Sequence, residues 1–295
     1  MNSLIIYCKS YHLDLRRVQR LALSIQKYNR DQIPFYLSVP AAEMELFKAH
    51  LSDTTTHLIS DESIVAASPR IDNATLRAMP GNVSQQVVKS EFWRLGLCQS
   101  YVCLDSDAIF IRPFTRADFL ATDGVPYTMI DEAHDLLEAA LHKRRNRIVN
   151  AFYAEAAELQ TRFGRKGRTY SFGPFPVVWH RAVWESLDTQ YLIPRNMSLA
   201  DAIAQAPIES RWYGEALLAY KAIPIIPCQA LFKVYHYAWQ YDKDRSAGID
   251  NDVLALMYCG VLYQSSWERD LDWPKEGGHI LSRGGRRLRR WLGRI

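Results

Sequence analysis

The chain is poor in the features that usually classify a sequence at once. It has five cysteines in 295 residues, at positions 8, 98, 103, 228 and 259, and no C-x-x-C pair. That excludes a zinc ribbon and a thioredoxin-type redox motif. Cys8, Cys98 and Cys103 lie in apolar runs, so reduced core thiols in a cytoplasmic setting are expected rather than a disulfide framework. No apolar run approaches the roughly 18–20 residues of a membrane-spanning helix. The N-terminal apolar run Leu4–Cys8 ends at Lys9 and is too short for a signal-peptide core, so no such peptide is expected. Internal repeats and low-complexity linkers are also missing, which argues against a solenoid or a flexible array. An excess of positive charge is absent from most of the chain. The net charge is +4, but six of the 36 Lys and Arg lie within residues 280–295, where there is no acid. The remainder carries 30 basic against 32 acidic groups, so it offers no nucleic-acid-binding face.

What is present is an ordinary globular composition, 48% hydrophobic and 23% charged, with enough length for one large α/β domain. Apolar patterning predicts a strand over Ser3–Cys8, a helix over Leu13–Tyr28, a strand over Phe35–Val39, a helix over Ala41–Leu51 and a strand at His57–Ser60. Such alternation predicts a mainly parallel sheet covered by helices. Residues 61–81 read as irregular, and a helix capped by Asn82 or Ser84 runs on to about Leu97. Further on, a strand is expected at Tyr127–Ile130 and mostly helix over Asp131–Phe163. A strand follows at Val177–Trp179, then helices over Ser198–Ala204 and Glu209–Tyr220, and closing strands at Ile223–Pro227 and Leu231–Tyr237.

The chemistry concentrates in Tyr101–Phe114, Y-V-C-L-D-S-D-A-I-F-I-R-P-F. Tyr101–Leu104 reads as a buried strand that runs into Asp105, Ser106 and Asp107. Side chains two apart in a strand share a side, so Asp105 and Asp107 are expected to project together from the end of this core strand. Two carboxylates ~4 Å apart repel by about 4 kcal/mol at an effective dielectric near 20. They splay into water, share a proton, or hold a cation. Mn²⁺ or Mg²⁺, which take oxygen ligands and often share substrate phosphates, suit such a pair. Three other Asp-x-Asp pairs, at 242/244, 250/252 and 270/272, lie in polar stretches and read as loops. The placement at a carboxyl strand end is where open α/β sheets bind ligands.

Four segments, S-Y-H-L-D-L-R-R near the N-terminus, Q-Q-V-V-K at Gln85–Lys89, L-D-S-D-A-I-F-I-R-P-F, and E-S-R-W-Y-G at Glu209–Gly214, resemble a bacterial family of uncharacterised GT-A-like proteins of polysaccharide biosynthesis. The resemblance implies a GT-A-like (Rossmann-like) α/β fold over residues 1–279 and a metal-dependent glycosyltransferase. Its donor would be a nucleotide-diphosphate sugar, a UDP-sugar first, and its acceptor a glycan or lipid-linked glycan of a surface polysaccharide such as lipopolysaccharide or capsule. On that reading Asp107, and Asp105 directly or through ribose and water, hold the metal, and His236 in V-Y-H-Y is a further ligand. Ser10, Tyr11 and Asp14 after strand one cradle base and ribose, with Ser106 a small spacer whose hydroxyl touches ribose. Lys89, with Gln85 one turn back, faces the diphosphate or sugar. Glu209 is the general base or an acceptor-binding group, and Glu215 its neighbouring alternative. Each has a plainer role: Asp14 as helix cap, Lys89 as an exposed helix lysine, His236 as a packed core residue, Glu209 as an acid favoured in a first helical turn. The aromatics Phe172, Phe175, Trp179 and Trp212 stack on sugar rings or fill the core. Lys143, Arg144, Arg145 and Arg147 read as a solvated helix face in preference to a phosphate-binding site.

Two other readings remain open from the residues. Asp105 as phosphoryl-accepting nucleophile with Asp107 as acid/base would make an aspartate-dependent phosphatase, although position 109 is Ile where those enzymes carry Thr. A non-catalytic sugar-nucleotide-binding subunit is the third. Within the 280–295 tail, Leu288, Trp291, Leu292 and Ile295 fall on one helical face, with Arg286, Arg287, Arg289, Arg290 and Arg294 around the rest. That pattern predicts a basic amphipathic helix at an anionic membrane surface, holding a cytoplasmic protein peripherally at the inner face.

Overall fold

The structure is a computed structural model and describes residues 2–142 and 144–264. The 280–295 tail expected to bind membranes, the Asp270/Asp272 pair and Lys143 lie outside the described residues.

The first half alternates as expected: β1 (Asn2–Lys9), α1 (Leu15–Tyr28), β2 (Phe35–Val39), α2 (Met44–His50) and β3 (Thr56–Ser60). Residues 61–81 depart from the reading. They form two short helices, α3 (Asp61–Ala66) and α4 (Asn73–Ala78), each started by a side chain that accepts from a first-turn N–H, Ser60 for α3 and Asp72 for α4. Local capping outweighed the breakers Pro69 and Pro80 because both prolines fall between helices rather than inside one. Helix α5 (Gly81–Glu91) follows Pro80 directly, so neither Asn82 nor Ser84 caps it. Next come β4 (Cys98–Leu104), β5 (Ala108–Phe110), β6 (Tyr127–Met129), α6 (His134–His142) and α7 (Asn146–Arg162). The chain continues with β7 (Val177–His180), α8 (Arg181–Leu187), α9 (Leu199–Gln205) and α10 (Glu209–Tyr220). The last described elements are β8 (Ile226–Cys228), β9 (Phe232–Tyr235), α11 (Ala238–Ser246), α12 (Asn251–Leu254) and β10 (Gly260–Tyr263).

The central sheet has the order β3-β2-β1-β4-β7, with β1 to β4 parallel and β7 antiparallel to β4. It is therefore a mixed, mainly parallel sheet flanked by helices, as the sequence implied. Strand β1 is buried on both faces: Ile5 and Tyr7 join one core cluster, Leu4, Ile6 and Cys8 the other. This is why it reads as a continuous apolar run rather than an alternating one. A second sheet, β5-β10-β9, pairs β10 with β5 antiparallel and with β9 parallel. It ties residues beyond Phe232 to the chain just after Asp107. Strands β6 and β8 form a small parallel pair.

The strand order decides where a ligand goes. The chain leaves β1 to build β2 and β3 on one side, then returns to lay β4 on the other. The connections diverge between the carboxyl ends of β1 and β4, the switch point at which open α/β sheets bind ligands.

One glycine supports this region from behind. A Cβ built on Gly214 in α10 would lie 2.0 Å from the Phe172 ring. Phe172 itself has φ 54°, an unfavourable value for a side-chain-bearing residue, so the seat on Gly214 helps hold it. Gly214→Ala is expected to destabilise the fold by about 1–3 kcal/mol through overpacking. Urea unfolding reads this directly, and an unchanged midpoint would contradict the packing.

Candidate active site

The Asp-Ser-Asp segment is not a continued strand. Strand β4 stops at Leu104, and Asp105, Ser106 and Asp107 form a turn closed by the Ala108 N–H donating to the Asp105 carbonyl at 3.2 Å. The two-residue alternation that would put both carboxylates on one face therefore does not apply. Adjacent chains hold the turn instead: the Asp107 carbonyl accepts from the Tyr263 N–H of β10 at 3.1 Å. Ser106 Oγ donates to Asp14 Oδ2 at 3.3 Å, across from the β4 end to the β1 loop.

Asp14 stands at the N-cap position of α1 but makes no cap bond with its side chain. Its other oxygen accepts from Arg17 one turn on. The expected helix-cap role thus gives way to a tie between Arg17 and the Asp-Ser-Asp turn. Before Asp14, Lys9 Nζ lies 3.4 Å from the buried Asp61 and 5.8 Å from the Tyr11 ring centroid. Burial pushes the Asp61 carboxyl up, and Lys9 opposes it. Ser10 is buried and Tyr11 half-buried, and both line the cavity described below.

Lys89 is no exposed helix lysine. It is 3% exposed, because Val87 and Val88 turn that end of α5 into the core. Tyr101 of β4 fixes the same turn by donating its hydroxyl to the Lys89 carbonyl at 3.1 Å. The ammonium sits 2.5 Å from Asp105 Oδ1, 3.6 Å from Glu209 Oε1 and 4.6 Å from the Phe175 ring centroid. Burial alone would push this ammonium down, but Asp105 and then Glu209 more than offset it, and the net direction is up. Lys89 is charged at neutral pH. Glu209, buried on the first turn of α10, is raised chiefly by burial, with Lys89 opposing and Asp105 adding to the rise. One ammonium thus serves two carboxylates, and the nearer one, Asp105, takes most of it. Gln86 Oε1 accepts from the Glu209 N–H at 3.2 Å, so α5 locates both ends of the triad.

These groups open onto one cavity of about 1010 Å³. Ser10, Tyr11, Asp14, Gln85, Lys89, Asp105, Ser106, Asp107, Glu209 and His236 all line it. The structure therefore brings together every sequence-derived site residue except one. Glu215 lies away from the lining, buried, with its two oxygens engaged by Arg165 at 2.6 and 2.8 Å. Of the four aromatics, Phe175 lines the cavity. Phe172, Trp179 and Trp212 are buried in the protein interior, where Trp212 donates its ring N–H to the Ala206 carbonyl at 2.9 Å. Lys9, Arg17 and Arg211 line the site but were not singled out from the sequence. Lys9 and Arg17 flank S-Y-H-L-D, so a basic residue on each side of that loop was the available signal.

Among the described residues, no three His, Cys, Asp or Glu side chains converge closely enough to hold an ion by themselves. The donor set still fits a hard divalent ion that completes its shell with diphosphate and water, a use that needs only one or two carboxylates from the protein. Asp105, Asp107 and His236 share the cavity, and burial holds His236 down to about 4, so its imidazole is neutral and ligand-competent.

The fold and this cavity define a GT-A-type α/β protein with a polar cleft at the switch point of its sheet. The chain belongs to the family described as "Family of unknown function (DUF6492)", which matches residues 3–224. No curated protein matches it. Among solved structures it is similar to the galactosyltransferase LgtC in complex with donor and acceptor sugar analogues, at 12% identity and TM-score 0.50, covering 95% of this chain and 99% of that one. An active-site mutant of LgtC gives 12% identity and TM-score 0.49, covering 88% and 86%. The apo form of mouse xyloside xylosyltransferase 1 gives 8% identity and TM-score 0.47, covering 90% and 98%.

Proposed function

We propose that this protein is a metal-dependent glycosyltransferase. It would move a sugar from a nucleotide-diphosphate sugar, UDP-linked in the first instance, to a glycan or lipid-linked acceptor of a bacterial surface polysaccharide. The observation that carries this reading is the placement of the Asp105–Lys89–Glu209 triad and Asp107 together at the switch point between β1 and β4. The cavity's charges support it. At the β1–β4 end of the cavity Lys9, Arg17 and Lys89 each face a carboxylate already, so little positive charge is left over there for a diphosphate. A divalent cation on Asp105, Asp107 and His236 would supply the missing charge, as a Lewis acid on the departing nucleotide diphosphate.

The chain's own residues then divide the work. Lys89 fixes the Asp105 carboxylate and keeps Glu209 oriented toward the cavity. Asp14, anchored by Arg17 and Ser106, offers an acceptor to ribose, and Tyr11 offers a ring face to the base. Glu209 would take a proton from the acceptor hydroxyl or hold the acceptor. Its raised carboxyl brings it nearer the range a general base needs.

A thermal-shift screen of nucleotide sugars, with and without Mn²⁺, tests the donor assignment. A ligand at a hundredfold excess over Kd raises stability by about 2.7 kcal/mol. UDP-hexoses with Mn²⁺ are expected to give that shift and either component alone much less. A screen with no nucleotide-sugar response would remove the reading.

The basic tail fits the same function, since an enzyme acting on a lipid-linked glycan gains from residence at the inner face of the cytoplasmic membrane. Anionic lipid contributes about 1 kcal/mol per nearby Arg, weakened by salt. Deleting residues 283–295 is expected to abolish salt-sensitive binding to anionic vesicles and to leave donor hydrolysis intact. Equal vesicle binding by the truncated chain would refute the tail's role.

A further inference from the structure

One of the charged groups that line the cavity and that the scheme above does not use is Arg211. Arg211, in the first turn of α10, is 2% exposed, yet among the described residues none of its three side-chain nitrogens finds a hydrogen-bond partner. A buried guanidinium carries five N–H donors, and leaving them all without hydrogen bonds is costly unless something else supplies acceptors. Its neighbours do not. Glu155 Oε2 is 3.8 Å away on a side chain that is 58% exposed, an ion pair too long for a hydrogen bond. The Phe152 ring lies 4.1 Å below the guanidinium and gives it a flat apolar floor. Glu215, one turn further along α10, is the carboxylate that would naturally answer Arg211, but Arg165 occupies both its oxygens. Burial lowers Arg211 to about 10, against the pull of Glu155 and Glu215, which is the mark of a cation held out of water without adequate compensation.

Position separates Arg211 from the donor end. Residues two apart in an α-helix point about 200° apart. Glu209 reaches α5 and Lys89, whereas Arg211 reaches α7 through Phe152 and Glu155. Both line the same cavity. A ligand that spans the cavity from the Asp-Ser-Asp turn to the α7 side meets Arg211 there.

We propose that Arg211, floored by Phe152, is the binding site for an acidic group on the acceptor, a sugar carboxylate or sugar phosphate. A planar guanidinium with its donors free matches such a group bidentately. The choice of a sugar rests on the glycosyltransferase reading; the anion site itself does not.

The test is a set of thermal-shift titrations of the full chain, wild type and Arg211→Met, at constant ionic strength. Glucuronate, glucose 6-phosphate and glucose are the probes, and UDP with Mn²⁺ is a separate arm. Either acidic sugar is expected to stabilise wild type where glucose does not, and which of the two does so distinguishes carboxylate from phosphate. Arg211→Met is expected to weaken that binding about ten- to a hundredfold, as for lost hydrogen bonds to a charged partner, and to keep its UDP–Mn²⁺ shift. Unliganded Arg211→Met is expected to melt no lower than wild type, because an inadequately compensated buried charge is being replaced by an apolar side chain. The proposal is overturned if no acidic sugar stabilises wild type, or if Arg211→Met loses the UDP–Mn²⁺ shift instead, which would make Arg211 a donor contact. A large fall in unliganded stability, restored by Arg211→Lys without acidic-sugar binding, would make it structural. If wild type itself shows no UDP–Mn²⁺ shift, the donor reading fails, and the acidic-sugar arm still decides Arg211.

Discussion

Asp107→Ala is expected to fold normally and to lose sugar transfer by about two to three orders of magnitude, the scale seen when a preorganised group that stabilises developing charge is removed. Asp107 is 5% exposed and lies at the turn between β4 and β5, where the strand pairing around it is made by backbone atoms. Its carboxylate can be removed without disturbing the Tyr263 N–H bond to its carbonyl. The loss should therefore appear in kcat and in the apparent affinity for Mn²⁺, with little change in the melting temperature of the unliganded protein. Measuring turnover across a Mn²⁺ titration separates the two. Wild-type turnover at limiting metal would show that Asp107 is not a ligand and would leave the turn with a purely structural role.

Lys89→Met has the second large effect, and it falls on stability first. Removing the ammonium leaves Asp105 and the buried Glu209 without the cation that both now face. Breaking a buried pair by deleting one partner costs about 3–5 kcal/mol. The pH dependence follows from the directions of the shifts. Lys89 is raised in the folded state, so its contribution is complete below its unfolded pKa of about 10.4 and is lost only as pH climbs through the higher folded value. At neutral pH the wild type has that contribution in full. Glu209 is raised as well, so its ionisation weakens the fold as pH rises from about 4.3 through its folded pKa. Without Lys89 that penalty grows. The deficit of Lys89→Met relative to wild type should accordingly be larger at pH 8 than near pH 4.5. Urea denaturation at the two pH values measures it. A deficit independent of pH would mean that the triad is not electrostatically coupled.

The chain's local chemistry was enough to establish the α/β class and the strand and helix order of the first 60 residues, and it singled out Asp105-Ser106-Asp107, which the fold places in the cavity lining. Apolar periodicity is a local property, and β1, α1 and β2 express it without help from distant residues. The span of α10, Glu209–Tyr220, was equally legible, because its apolar positions recur at helical spacing. Tertiary structure decided the rest. From the sequence Lys89 reads equally as a site cation or a surface lysine until β4, α10 and the Phe175 loop close around it, since burial depends on elements far apart in the chain. The Asp-Ser-Asp segment reads as strand because its flanks are apolar, but β5 leaves β4 to join a different sheet, and the turn between them sets the direction of both carboxylates. Glu209 and Glu215 look interchangeable as neighbouring acids on one helix. Arg165, 50 positions before Glu215, engages one, and Lys89 turns the other toward the cavity. Arg211 carried no signal of its own, because an arginine whose partners are missing is recognisable only when every neighbour that might have answered it is in place.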